Sequence, residues 1–158
     1  MRRSRLVVPL LTITSLALAI AAPRGQQAAT SPPSSPPTSA SLDFEFFKAR
    51  VQPIFIAKRD GHARCIACHT SASGMRLQPL PAGSTMWSEE DSRKNFDAVR
   101  RMVTPGNPTS RLLVHPLATE AGGDFFHNGG KHFASQNDRE WMILKNWVMG
   151  TTSGTSGR

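Results

Sequence analysis

The chain has 158 residues and a formal charge of +8, with no tyrosine and three tryptophans. That is enough for one domain with a thin core, the size class that often leans on a disulfide, a metal or a cofactor. Its lysines and arginines are scattered, without a long basic run or interleaved aromatics, which argues against nucleic-acid binding and leaves an acidic protein partner or an anionic membrane surface.

Residues 1–21 read as a secretory signal peptide. Arg2, Arg3 and Arg5 form the positive start, residues 6–20 the apolar run, and Ala19 and Ala21 the small positions before cleavage. Removing those three arginines lowers the charge to about +5. The competing reading is an uncleaved membrane anchor, but Pro9 interrupts the run and its length only reaches the lower limit for a span. Export to the periplasm is expected, with membrane attachment only if the leader stays. Residues 22–41 form a Pro/Ser-rich linker, and 26–41 (QQAATSPPSSPPTSAS) hold nothing that can be buried.

The packed region spans 42–150, and 151–158 read as a disordered tail. Asp43 or Ser41 is suited to cap a first helix with Phe46, Phe47, Val51, Ile54 and Phe55 on its apolar face. Pro53 predicts a kink there, or a stop near Gln52. Gly61 breaks the chain. Ser88 followed by Glu89, Glu90 and Asp91 starts a second long helix that ends before the turn Pro105-Gly106-Asn107-Pro108. Ser110 is suited to cap a short helix over 111–115, stopped by Pro116. A glycine-rich loop follows. The last helix begins near Asn137 or Asp138, carries Trp141, Leu144, Lys145 and Val148 on one face, and ends at Gly150. No strand alternation and no repeat occurs, so the fold class is mostly α.

Between the first two helices stands Cys65-Ile66-Ala67-Cys68-His69, the C-x-x-C-H signature of covalent haem attachment. Two thiols must add to two neighbouring vinyl groups on one porphyrin edge, and two intervening residues in a helical turn give that separation. The next residue then offers an imidazole to the iron. A thioredoxin-like pair needs a strand before the motif, which the sequence does not predict. A zinc site lacks a second cysteine pair. One covalent haem c with its iron, held by Cys65, Cys68 and His69, is therefore expected.

With the motif placed, FKARVQPIF over 47–55, VTPGNPTSRLL over 103–113 and Trp147-Val148-Met149-Gly150 resemble the planctomycete- and acidobacteria-type cytochrome c domains. The resemblance spans nearly all of 42–150. It implies a class I cytochrome c fold, small and helical around one covalent haem, with first and last helices crossing. It also implies an electron carrier rather than an enzyme, working between exported or membrane-bound redox proteins.

Many relatives place a Met-Pro-Pro segment before the last helix, whose Met is the sixth ligand. Here His127-Asn128-Gly129-Gly130 stands instead, resembling a subset with His at that position, so the resemblance makes His127 the second metal ligand. His132, in the same loop, is the next choice, and the loop residues Met75 and Met86 stay open. His115 and His62 fit capping or propionate contacts. Trp87, Trp141 and Trp147 read as packing residues with indole N–H groups available to a propionate, and Arg100, Arg101 and Arg111 as propionate partners. The alternative function is a five-coordinate haem protein acting as a small-molecule sensor or peroxidase-like enzyme.

Overall fold

A computed structural model describes residues 41–71 and 74–152. The expected leader, the linker up to residue 40 and the tail from 153 lie outside the described residues.

The first helix starts at Asp43, which is extended and accepts the Phe46 N–H on its carboxylate at 2.9 Å. Segments Phe44–Phe46, Phe47–Val51 and Gln52–Ile56 then follow without a break, and the run 44–56 is helix α1. Its middle segment is π-helical, with the Gln52 N–H reaching back five residues to the Phe47 carbonyl. The wide turn sits just before Pro53, whose ring would otherwise crowd a carbonyl four residues back. Of the two outcomes expected at Pro53, a kink or a stop near Gln52, the stop is corrected: a π-bulge absorbs the proline, and the helix runs on to Ile56.

Helix α2 is Cys65–His69 and α3 is Glu89–Arg100. Ser88 caps α3 by accepting the Asp91 N–H at 3.1 Å, and three acidic residues occupy its first turn. Helix α4 is Arg111–Val114, followed by a 3₁₀ turn over Thr119–Ala121. Helix α5 is Arg139–Met149, capped by Asp138, whose carboxylate accepts the Glu140 and Trp141 N–H groups. Among the described residues there is no strand, only two isolated bridge pairs, so the protein is mostly α. No described helix is long and apolar enough to cross a membrane.

The core is organised where α1, α3 and α5 meet. Trp147 is fully buried there, its ring centre 5.2 Å from Phe47 and 5.9 Å from Phe96. Phe96 in turn meets Phe44 and Phe47 edge-on at 5.4 and 5.3 Å. The Trp147 indole donates to the Asp43 carbonyl at 2.8 Å, tying the last helix to the cap of the first. Trp87 donates to the Gln78 carbonyl and Trp141 to the Leu113 carbonyl. All three indoles are therefore spent inside the fold, and the expectation of an N–H free for a propionate is corrected.

The turn before α4 is a second fixed point. Ser110 is buried and does not cap α4 with its side chain. Its hydroxyl accepts the Thr104 N–H and lies at hydrogen-bond distance from the Thr104 and Asn107 carbonyls. Asn107 accepts the Thr109 N–H at 2.8 Å in an Asx turn, and the Gly106 N–H reaches the Val148 carbonyl of α5 at 2.8 Å. The Pro-Gly-Asn-Pro run thus clamps the end of α3 to the end of α5.

Truncating Trp147 to Ala should cost about 3–5 kcal/mol of stability by urea unfolding. Phe125, which is 92% exposed, should give a change within about 0.5 kcal/mol under the same substitution. Similar losses at the two sites would contradict this account of the core.

Candidate functional site

Helix α2 is a single turn, so Cys65, Cys68 and His69 stand three and four residues apart on one face. All three line a cavity of about 770 Å³, within the usual range for ligand pockets of about 300–1,000 Å³. Its apolar walls come from α1 (Ile54, Phe55), α4 (Leu112), α5 (Leu144) and Phe133, with Arg64 and Arg111 also on the lining. Cys65 is partly buried and Cys68 exposed. Burial raises the Cys65 thiol above its ordinary range, against the opposing pull of Arg59. That is the reverse of the depressed thiol a disulfide oxidoreductase uses.

His127 enters the cavity from the loop between α4 and α5. The loop is closed by Ala118 N–H to the Phe133 carbonyl at 2.8 Å and by His132 and Phe133 N–H to the Pro116 carbonyl. Inside it, Gly123 packs against backbone: a Cβ there would lie 1.9 Å from the Leu117 carbonyl oxygen. At its tip, the Gly130 N–H bonds to the His127 carbonyl at 2.9 Å, with Gly130 at φ +79°. That conformation favours glycine, which gives the second glycine of His-Asn-Gly-Gly a physical reason.

The His69 and His127 rings face each other with centroids 6.4 Å apart and planes 22° from parallel. The His69 Nδ1 lies 2.8 Å from the Met75 carbonyl, and the His127 Nδ1 lies 2.5 Å from the Gly130 carbonyl. A carbonyl only accepts, so in both rings Nδ1 carries the proton, and in the neutral tautomer Nε2 is the nitrogen with the lone pair. Burial holds the His127 pKa below its ordinary value, partly opposed by the Gly130 hydrogen bond. A neutral imidazole with Nδ1–H given to a carbonyl is the arrangement that orients a metal-ligating histidine.

Two metal–imidazole bonds of about 2.0 Å each, with a ring radius at either end, span about 6 Å between ring centres. The observed centroid separation of 6.4 Å is close to that span. Among the described residues no group of three or more His, Cys, Asp or Glu is placed to hold an ion by protein ligands alone. A porphyrin brings four nitrogens of its own and asks only two of the protein, so the residues present fit a haem.

The other histidines gather around this pair. His115 donates from Nδ1 to Asp124 at 2.9 Å, and its ring centre lies 4.7 Å from that of His127. His132 is only 8% exposed, with its Nδ1 unpartnered and its pKa pushed down to about 4 by burial and by the rings and Arg59 beside it. Its ring centre lies 5.0 Å from His62 and 5.7 Å from His127. Met75 lines the cavity and supplies its carbonyl to His69, whereas Met86 is exposed and off the lining. Arg111 lines the cavity, while Arg100 pairs with Asp97 at 3.0 Å and Arg101 is off the lining.

The carbonyls of Met75 and Gly130 escaped sequence reasoning, because a backbone acceptor has no residue signature. Gln52, a polar residue among the apolar positions of α1, was a visible hint of a buried network beside the site.

Gly123→Ala should unfold at lower urea, losing about 1–3 kcal/mol or more, because the clash is with backbone that cannot step aside. Ala134→Ser, at an exposed position beyond the same loop, should stay within about 0.5 kcal/mol. No family model, no curated protein and no solved structure matches this chain.

Proposed function

We propose that this chain is an exported c-type cytochrome that carries single electrons between periplasmic or membrane-bound redox proteins. It would hold one haem c through thioether bonds to Cys65 and Cys68, with His69 and His127 as axial ligands. The helical domain would be of the class I cytochrome c type, its first and last helices joined through Trp147 and Asp43. The observation that carries this reading is the facing pair of imidazoles. They stand 6.4 Å apart with nearly parallel planes, each with Nδ1–H donated to a carbonyl, in a cavity edged by the two cysteines of C-x-x-C-H.

A bound haem supplies a one-electron ferric/ferrous couple. The chain's own residues set its surroundings. Cys65 and Cys68 would hold the group covalently, so that it would not dissociate. His69 and His127 would each offer the ring nitrogen opposite the bonded Nδ1, and the carbonyls behind them raise the basicity of both rings. A second imidazole in place of a thioether favours the ferric state and lowers the potential. Ile54, Phe55, Leu112, Phe133 and Leu144 exclude water from the faces, and Arg64 and Arg111 provide positive charge on the lining. No residue is required to break or form a substrate bond, so the protein acts as a carrier.

The second reading, a sensor or peroxidase-like haem protein, has one observation in its favour. His115, oriented by Asp124, stands beside His127, as a distal acid–base group would. It would require His127 to leave the iron.

Expression with haem-attachment machinery should give a haem-staining band after denaturing electrophoresis and an intact mass increased by one haem. Cys65→Ala together with Cys68→Ala should abolish both. His127→Met should raise the midpoint potential. His127→Ala should convert the spectrum from low-spin to high-spin or to a new ligand set, and an unchanged spectrum would remove His127 from the iron. N-terminal sequencing should find the mature protein starting at Ala22 in the soluble periplasmic fraction. An intact leader in the membrane fraction would make it an anchored carrier, and recovery of the holoprotein from the cytoplasm would contradict export.

A further inference from the structure

We propose that Asn95, backed by Gln52 and Ser92, is a positioning residue for His69, acting through the loop that supplies the Met75 carbonyl. The inference rests on the reading of His69 as an iron ligand and goes beyond it, because none of these three side chains lines the cavity.

Gln52, Ser92 and Asn95 are each 0% exposed. Three polar side chains without any water contact must satisfy one another or cost stability. They do so in one direction only. The Gln78 backbone N–H can only donate, so the Asn95 atom that faces it at 2.7 Å is the carbonyl Oδ1. That leaves the Asn95 amide to donate to Gln52 Oε1 at 3.2 Å, and the Gln52 amide to donate to the Ser92 hydroxyl at 2.9 Å. The orientation of both amides is thus set from the loop inward, and α1 and α3 hold the chain of bonds from either side.

The loop end of this chain leads to the proximal histidine. Gln78 is held at its N–H by Asn95 and at its carbonyl by the Trp87 indole at 2.9 Å. One residue earlier, the Leu77 N–H bonds to the His69 carbonyl at 2.8 Å. Two residues before that, the Met75 carbonyl accepts the His69 ring N–H at 2.8 Å. Backbone and ring of His69 are therefore both attached to the short segment 75–78, whose far end is pinned by Asn95. If that pin is removed, Gln78 can slide and the Met75 carbonyl loses its register with the ring. An axial imidazole that donates a well-formed Nδ1 hydrogen bond is more electron-rich and favours ferric iron. Loosening the bond should favour ferrous iron.

The test uses the full holoprotein. In Asn95→Leu, of similar volume, the His69 ring N–H of the reduced protein should exchange with deuterium at least about tenfold faster by NMR. The ferrous-to-ferric ratio at a fixed ambient potential should rise by up to about tenfold, equivalent to about 59 mV for a one-electron couple. Val148→Ala, which removes buried volume on α5 away from this chain of bonds, should leave both readouts at the wild-type values. Unchanged exchange and unchanged potential in an Asn95→Leu protein that retains covalent haem would overturn the proposal while leaving the haem reading intact. Equal shifts in Val148→Ala would overturn it as well, since general loosening would then suffice. If Asn95→Leu yields no holoprotein, Ser92→Ala decides: it should move both readouts in the same direction by less, and no movement overturns the proposal. A wild-type protein without covalent haem would overturn the haem reading itself.

Discussion

Trp147 sits without solvent contact at the meeting point of three helices, and its indole hydrogen bond to Asp43 joins the two ends of the domain. The ring packs against both Phe47 and Phe96, so α1, α3 and α5 are joined through one side chain. Burying a large aromatic with its single polar atom satisfied combines area burial with direction, because only one orientation of the indole reaches that carbonyl. The cavity follows from this junction. Its back wall consists of Ile54 and Phe55 from α1 and Leu144 from α5, residues placed by the same packing.

Onto that wall the chain hangs two short, irregular pieces: the single turn of α2 and the glycine-rich loop. Each is held by backbone hydrogen bonds, and in each the histidine that enters the cavity gives its Nδ1 proton to a carbonyl close by in sequence. The two imidazoles are therefore oriented locally yet face each other across the cavity.

Much of this was legible in the sequence. The cap at Ser88 was visible, and those at Asp43 and Asp138 were each one of two neighbouring candidates, because short oxygen-bearing side chains before an apolar period satisfy free backbone N–H groups. The motif supplied Cys65, Cys68 and His69 by spacing, the resemblance pointed to His127, and the fold brings all of them to the lining of one cavity. Other parts were not legible. Pro53 reads as a kink or a stop, and which of the two is not decided by sequence: a π-turn lets the helix continue, because tertiary burial of Ile54 and Phe55 outweighs the local defect. The indole donors of Trp87 and Trp141 read as free, but their carbonyl partners lie 9 and 28 residues away. Ser110 reads as a cap and is instead the buried knot of the preceding turn, which distinguishes hydrogen-bond capacity from its use.

The central claim is that one haem iron lies between His69 and His127 with their rings nearly parallel. Low-temperature electron paramagnetic resonance of the ferric protein reads this directly, since the relative orientation of two axial imidazoles sets the anisotropy of a low-spin ferric centre. Ring planes 22° apart should give a rhombic low-spin signal with three resolved features. A high-spin signal would mean an open sixth position, a strongly axial low-spin signal would mean crossed ligand planes, and either would contradict the assignment of this pair.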